Sequence, residues 1–294
     1  MTNTLNRFME EHLLLVDDEL YSLVEKIVAP KTLKESMLYS LKAGGKRIRP
    51  LFVLAVCQLF NYKQKEAYTV ASAVEMIHTY SLIHDDLPSM DNDELRRGKP
   101  TNHVVYGEAL ATLAGDALNT LSFGILARME NVPANIKVQL INLLSIAAGA
   151  EGMVGGQVLD IDGETRLLNL EELEQVHINK TGALLRFSIE AGAVLSEASE
   201  EERSILVDFA HHIGLAFQIQ DDILDIEGTS EELGKTAGKD VASNKSTYPS
   251  LLTIDGAKNK LNEHYEVAIS LLEQLKGDTT VLKELTEYIV RRNK

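Results

Sequence analysis

The sequence predicts an all-α fold, on three observations. Proline is scarce: 6 residues in 294, or about 2% against an ordinary usage of about 5%. Apolar residues recur at three- and four-residue steps along the chain, and the 45% hydrophobic content suffices for a large core. Strand signals are scarce, since the two Asp-Gly pairs, Asp162-Gly163 and Asp255-Gly256, both sit between helical patterns. No Ser/Gly/Pro-rich linker, low-complexity run or fixed-period repeat divides the chain, so residues 1–294 are expected to form one domain.

Element by element, Thr32 with Glu35 has the spacing of a side-chain cap and predicts a helix start there. Pro50 suits the opening turn of a second helix, which contains the longest near-apolar run, Leu51 to Phe60. That run is about half the roughly 20 residues a membrane span needs, so no span is expected. A third helix carries Val70, Val74, Ile77 and Ser81 as one stripe. It ends in His84-Asp85-Asp86-Leu87-Pro88, after which the two prolines and the glycine in residues 86–100 read as a loop. Asn169 with Glu172 and Ser199 with Glu202 mark two further helix starts. The helix bearing Asp221, Asp222 and Asp225 ends before a second loop, Gly228 to Pro249.

With 29 basic against 44 acidic side chains and a net charge of −15, the chain has no basic surplus with which to coat a nucleic acid. Its one cysteine, Cys57, closes no internal disulfide, and the first twenty residues are acidic where a signal peptide is basic then apolar. The expectation is a cytoplasmic protein without a leader.

Chemistry is concentrated in the two aspartate clusters. Pro88 disfavours helical geometry at Leu87, so Asp91 should return toward Asp85 through an irregular turn. At about 100° per residue, Gln218, Asp221, Asp222 and Asp225 share one helix face, extended backwards by His211 and Gly214. A lone acidic stripe is ordinarily a solvated surface. Here Tyr80, Leu82 and Ile83 flank the first cluster, and Phe217, Ile219, Ile223 and Leu224 the second. Carboxylates crowded against apolar walls resist ionisation unless a cation neutralises them. Magnesium, with its preference for oxygen ligands, waters and phosphates, suits such a set. Zinc does not, because no His/Cys set has ligand spacing.

Basic groups supply the counterpart. Gly44-Gly45-Lys46-Arg47-Ile48-Arg49-Pro50 places three cations on a glycine-led loop at a helix start, where anions bind readily. Arg96-Arg97 follow Asp91 closely, and Lys180 beside Thr181, Lys235 and Lys245 add more. A basic loop can equally serve only to solvate the surface, and His78 on an apolar helix can be an ordinary core histidine.

Taken together, GGKRIRP, EMIHTYSLIHDDLPSMDNDELRRGKPTNH, GMVGGQVLD, KTGALL and FQIQDDILD, followed by a GK and NKSTYPSLL, resemble the trans-prenyl diphosphate synthases. The bacterial farnesyl diphosphate synthases are the most similar members, and the likeness covers roughly residues 40–252 in the family's order. It implies a single helical bundle around a central cavity, a homodimer, and a requirement for magnesium, with three ions per site. It also implies head-to-tail condensation of isopentenyl diphosphate with dimethylallyl or geranyl diphosphate, through ionisation, condensation and elimination. By the same resemblance, Asp85, Asp86, Asp91, Asp221, Asp222 and Asp225 hold the metal, and Arg96, Lys180, Lys235 and Lys245 hold the allylic diphosphate. Thr181 and Gln218 face the carbocation. Lys46, Arg49, His78 and Arg97 bind isopentenyl diphosphate, and Tyr80 with Ser81 forms a floor that limits the product to farnesyl length. Loop 228–249 is the candidate lid, and the tail Arg291–Lys294 looks like one that closes over a diphosphate. Tyr80 could instead be plain core packing, and Gly155, Gly156, Gln157 and Asp160 match another family motif without a role beyond helix packing and the orientation of neighbours.

Two rival products of the same resemblance are a geranylgeranyl diphosphate synthase and a catalytically silent partner subunit. The intact pair of aspartate clusters argues against the second. A class I terpene cyclase would have no use for GGKRIRP, and a non-enzymatic acidic helical protein would leave the placement of the cations to coincidence.

Overall fold

The structure is a computed structural model and describes residues 2–227 and 245–292. Helices α1 (Asn3–Glu25), α2 (Lys31–Leu41), α3 (Ile48–Leu59) and α4 (Glu66–Asp85) come first. A two-residue antiparallel hairpin, β1 (Leu95–Arg96) with β2 (Lys99–Pro100), follows. Next come α5 (Asn102–Tyr106), α6 (Glu108–Ala127), α7 (Ala134–Ala148) and α8 (Met153–Gly163). Helix α9 (Leu170–His177) passes through a π turn, Ile178–Gly182, into α10 (Ala183–Leu195). Helices α11 (Glu200–Glu227), α12 (Tyr248–Leu272) and α13 (Thr280–Val290) complete the all-α fold that the composition predicts.

The core sits where α3, α4 and α10 meet. These helices are apolar on nearly every side, the pattern of a helix surrounded by others rather than lying on the surface. Helix α10 packs on α3, α7 and α11, while α4 packs on α1, α3 and α6. Gly192 lets α10 approach α3 closely, since a Cβ there would come within 2.8 Å of the Val53 carbonyl oxygen. Phe52 and Phe209 meet edge to face at 6.3 Å between α3 and α11.

Two of the three expected caps form. Asn169 and Glu172 make a reciprocal capping box on α9, and Ser199 exchanges hydrogen bonds with Glu202 at the start of α11. The Thr32 cap does not form: Pro30 caps the helix two residues earlier, α2 opens at Lys31, and Thr32 falls inside the first turn. An unforeseen box, Thr247 with Ser250, opens α12. The stretch read wholly as loop, residues 86–100, contains β1 and β2.

The length argument against a membrane span also needs correction. Glu108–Ala127 and Ala134–Gly163 are long and apolar enough to cross a membrane by length and composition. A helix packed inside a folded protein has the same length and composition, however, and α6 buries one stripe, Ala111, Ala114, Leu118 and Ile125, and packs closely on α4. Leu113, Val138, Ile146, Val154 and Val158 remain exposed on α6, α7 and α8.

At the junction of α11 and α12, the Nδ1 atoms of His212 and His264 lie 2.8 Å apart, so one neutral ring donates to the other. Burial, then the neighbouring His212 and Lys260, push His264 down to about 4, with Glu263 opposing. The unfolded chain therefore takes up its proton first as pH falls, and stability is lost between pH 6.5 and about 4. Each such histidine adds a slope of up to about 1.4 kcal/mol per pH unit. Urea unfolding midpoints should fall from pH 6.5 to pH 5, and His264→Gln should flatten that decline; an unaltered slope would show that this histidine is not responsible.

Candidate active site

Helix α4 ends at Asp85 because Pro88 cannot continue it. The chain then curls back through Leu87 N–H to the His84 carbonyl at 3.1 Å and Asp91 N–H to the Asp85 carbonyl at 2.9 Å. Asp91 thus returns to Asp85 through an irregular turn, as Pro88 implies. Asp86 is buried, and its carboxylate accepts from Arg96 Nε at 2.8 and 2.9 Å and from Arg96 Nη2 at 2.5 Å. Arg96 lies on β1, so the hairpin brings a guanidinium back over the end of α4. Asp85 is pushed up to about 6 by burial, with Asp91 and Asp86 reinforcing and Lys180 opposing. Asp91 is exposed.

The glycine-led loop meets this hairpin. Gly44 and Gly45 adopt φ of +93° and +135°, conformations that a side chain would strain. Arg97 Nη1 donates to the Gly44 carbonyl, and a Cβ on Gly45 would lie 2.6 Å from the same guanidinium. Arg49, on the first turn of α3, shares a cavity of about 560 Å³ with His78, Tyr80, Ser81, Asp85, Lys180 and Thr181. Met153, Val158, Ile161 and Leu184 give that cavity its apolar side. Burial and the charges of Arg49, Arg97, Arg96 and Arg47 hold His78 well below its ordinary pKa, hence neutral. Lys46 is half-buried on the same loop.

Arg47 behaves otherwise than its place in the motif suggests. It is buried, donates to Asp17 at 2.9 Å, Glu75 at 2.7 Å and the Leu41 carbonyl at 2.7 Å, and so ties α1, α2 and α4 together. Of the three cations of the loop, this one is committed to the fold.

The second cluster is no solvated stripe. Asp222 and Asp225 are buried and Asp221 is half-buried. Asp221 accepts from Arg292 Nη2 at 2.6 Å. That guanidinium also stacks 4.0 Å from the centre of the Phe217 ring, and Gln220 donates to the Arg292 carbonyl. Asp222 accepts from the Tyr248 N–H at 2.9 Å. His177 stacks on Tyr248 at 5.7 Å and approaches Asp222 at 3.8 Å; burial holds this imidazole near 4, so the approach is not an ion pair.

Lys180 and Thr181 occupy the π turn, a helical irregularity frequent at functional sites. Both line the larger cavity beside Asp85 and also a second one of about 190 Å³ with Gln218, Asp222, Asp160 and Lys245. Asp85 of the first cluster and Asp222 of the second therefore line cavities that share Lys180 and Thr181. Arg49 adds a further link, since it feels the charge of Asp221 and lines the cavity of Asp85. Lys180 and Lys245 both donate to one oxygen of Asp160, at 2.5 and 2.8 Å.

Lys235 and most of loop 228–249 lie outside the described residues, as do Asn293 and Lys294 of the tail. The partners of three residues lie beyond sequence reasoning. Asp160 belongs to a recognised motif without a partner to explain it. Tyr248 acts through a backbone N–H, which no residue type announces. Arg292 belongs to the tail that the resemblance expects to close over a diphosphate, but its position against Phe217 and Asp221 depends on how α13 folds back.

Comparison with known proteins gives consistent relatives. The family described as Polyprenyl synthetase matches residues 30–289. A farnesyl diphosphate synthase of Bacillus subtilis is 51% identical over the full length of both chains. A geranylgeranyl diphosphate synthase of Cyanophora paradoxa is 45% identical, with 90% of this chain and 89% of that one covered. Among solved structures, an FPP/GFPP synthase from Zymomonas mobilis superimposes with a TM-score of 0.87 at 39% identity, over 99% of this chain and 100% of that one. With a family match across most of its length and relatives of this identity, the chain belongs to the polyprenyl synthetase family.

Proposed function

We propose that the chain is a prenyltransferase that condenses isopentenyl diphosphate head to tail with dimethylallyl and geranyl diphosphate to give farnesyl diphosphate. The observation that carries this reading is that cavities lined by Asp85 and by Asp222 share Lys180 and Thr181, the larger of them with Arg49 and an apolar wall. Relatives named farnesyl diphosphate synthase support it at 46–51% identity in Bacillus subtilis and Haemophilus influenzae.

The donor set fits magnesium. Asp85, Asp86, Asp91, Asp221, Asp222 and Asp225 offer only hard carboxylate oxygens, and the raised Asp85 marks a place short of positive charge. Among the described residues no three acidic or histidine side chains enclose an ion by themselves. An ion that keeps waters and takes phosphate oxygens needs only one or two carboxylates from each side. Asp86 and Asp221 already accept from Arg96 and Arg292, so they reach an ion by sharing or exchanging those partners. When bound, about three such ions would supply the positive charge that stabilises a departing diphosphate.

The protein's own groups do the remainder. Lys180, Lys235, Lys245 and Arg96 hold the allylic diphosphate, while Lys46, Arg49, Arg97 and neutral His78 receive isopentenyl diphosphate, which loses no diphosphate. Thr181 and Gln218 turn oxygen lone pairs toward the developing cation. The apolar wall excludes water, which would otherwise capture that cation. Tyr80, buried and set edge to face against His84 at 5.6 Å, is the floor, with Ser81 beside it. The exposed apolar residues of α6, α7 and α8 support a homodimer, and the buried thiol of Cys57 suits a cytoplasmic setting.

Purified protein given magnesium, isopentenyl diphosphate and dimethylallyl diphosphate should release farnesyl diphosphate and lose activity with EDTA. A geranylgeranyl product would shift the reading to the longer synthase, and no elongation would favour a silent subunit. Asp85→Asn and Asp221→Asn should each lower kcat by about 10²–10³ while the melting curve holds. Tyr80→Ala should lengthen the product in chromatography, and an unchanged product would remove Tyr80 from the floor.

A further inference from the structure

Asp160 lies on α8, outside both aspartate clusters, yet its carboxylate gathers two lysines that are far apart in the chain. Lys180 comes from the π turn and Lys245 from the segment entering α12, and both ammonium groups converge on Oδ2. Each lysine has a long flexible stem with many rotamers, and two like charges left alone would swing apart into solvent.

The backbone explains why α8 delivers the carboxylate to this point. Gly156 lies four residues before Asp160, on the same helix face. A Cβ at Gly156 would fall 2.1 Å from the Lys180 backbone nitrogen. Helix α8 therefore touches the π turn backbone to backbone, and Asp160 lands beneath the lysine head groups. The residue is buried. Burial alone would raise its pKa, but the charges of Lys180 and then Lys245 hold it below the ordinary carboxylate range, so it stays ionised.

We infer that Asp160 is a positioning residue that assembles Lys180 and Lys245 into one two-cation clamp for the diphosphate of the allylic substrate. This rests on the proposed function of the site. One anion between two cations leaves a net positive clamp, so the carboxylate orients the lysines without cancelling their attraction for a diphosphate. Lys180 also lines the cavity beside Asp85, so one arm of the clamp borders the cavity of Asp85 as well as that of Asp222.

The test is kinetic and calorimetric. Asp160→Asn, which keeps the shape and removes the charge, should lower kcat/KM for geranyl diphosphate by about tenfold or more. The KM for isopentenyl diphosphate should stay within about twofold. Asp160→Glu should recover part of the loss. In a Lys180→Met/Lys245→Met background, Asp160→Asn should change kcat/KM by less than about twofold, because nothing remains to be positioned. A loss in that background as large as in the wild type, or equal losses for both substrates, would assign Asp160 to general packing and overturn the inference. If Asp160→Asn melts early, Asp160→Glu decides: equal losses for both substrates overturn the inference, and a loss confined to the allylic substrate upholds it. Titration of inorganic pyrophosphate with magnesium separates this inference from the functional reading. If the wild-type protein binds pyrophosphate, Asp160→Asn weakens that binding and no elongation occurs, the clamp stands and the synthase reading falls. Normal elongation with unaltered allylic kinetics in Asp160→Asn leaves the synthase and removes the clamp.

Discussion

A charge taken out of water must be met by an opposite charge or by several hydrogen bonds, and this molecule assembles many charges beside an apolar cavity. Its organisation follows from that constraint. Arg47 is met by Asp17 and Glu75, Asp86 by Arg96, Asp221 by Arg292, and Asp160 by two lysines. All but the local Asp86–Arg96 pair join residues at least 20 apart in the chain, so these ion pairs are tertiary contacts as well. The first ties helices for stability, and the others hold charged groups ready around the cavities. Of these, only the Arg47–Glu75 pair is buried on both sides, and removing one of its members leaves the other unsatisfied, at a cost of roughly 3–5 kcal/mol.

The helices were legible because period and punctuation are local. The Asn169 and Ser199 caps and the turn imposed by Pro88 depend only on neighbours within a few residues, and they form as the sequence implies. Thr32 misled because a proline two residues earlier moved the helix start, a competition between two local signals. The hairpin escaped notice because two-residue strands leave no alternation to detect. It matters for the site all the same, since it carries Arg96 to Asp86.

Charge type was legible in the site, and charge pairing was not. Arg47 and Arg49 stand two residues apart in one motif, yet one is buried against Glu75 and the other opens on a cavity. Arg47 is the left-handed residue that caps α3 and Arg49 lies in the first turn of that helix, a difference in backbone that the residue type does not announce. Asp222 depends on a backbone N–H from Tyr248, and Asp160 on a lysine 85 residues away. Such contacts belong to the packing of α8, α11 and α12 rather than to any short stretch of sequence.

The five-residue π turn, Ile178–Gly182, fixes where two of the site's side chains point. A π turn holds one residue more than the α geometry around it, so the extra residue is absorbed locally and the faces of α9 and α10 keep their neighbours. Deleting one residue between Ile178 and Gly182 would let α9 run into α10 as ordinary helix, with the seam of α10 against α3 kept and Lys180 and Thr181 carried away from the two cavities they line. Length in this segment therefore matters to the site as much as the identity of those two residues does, and to the bundle hardly at all.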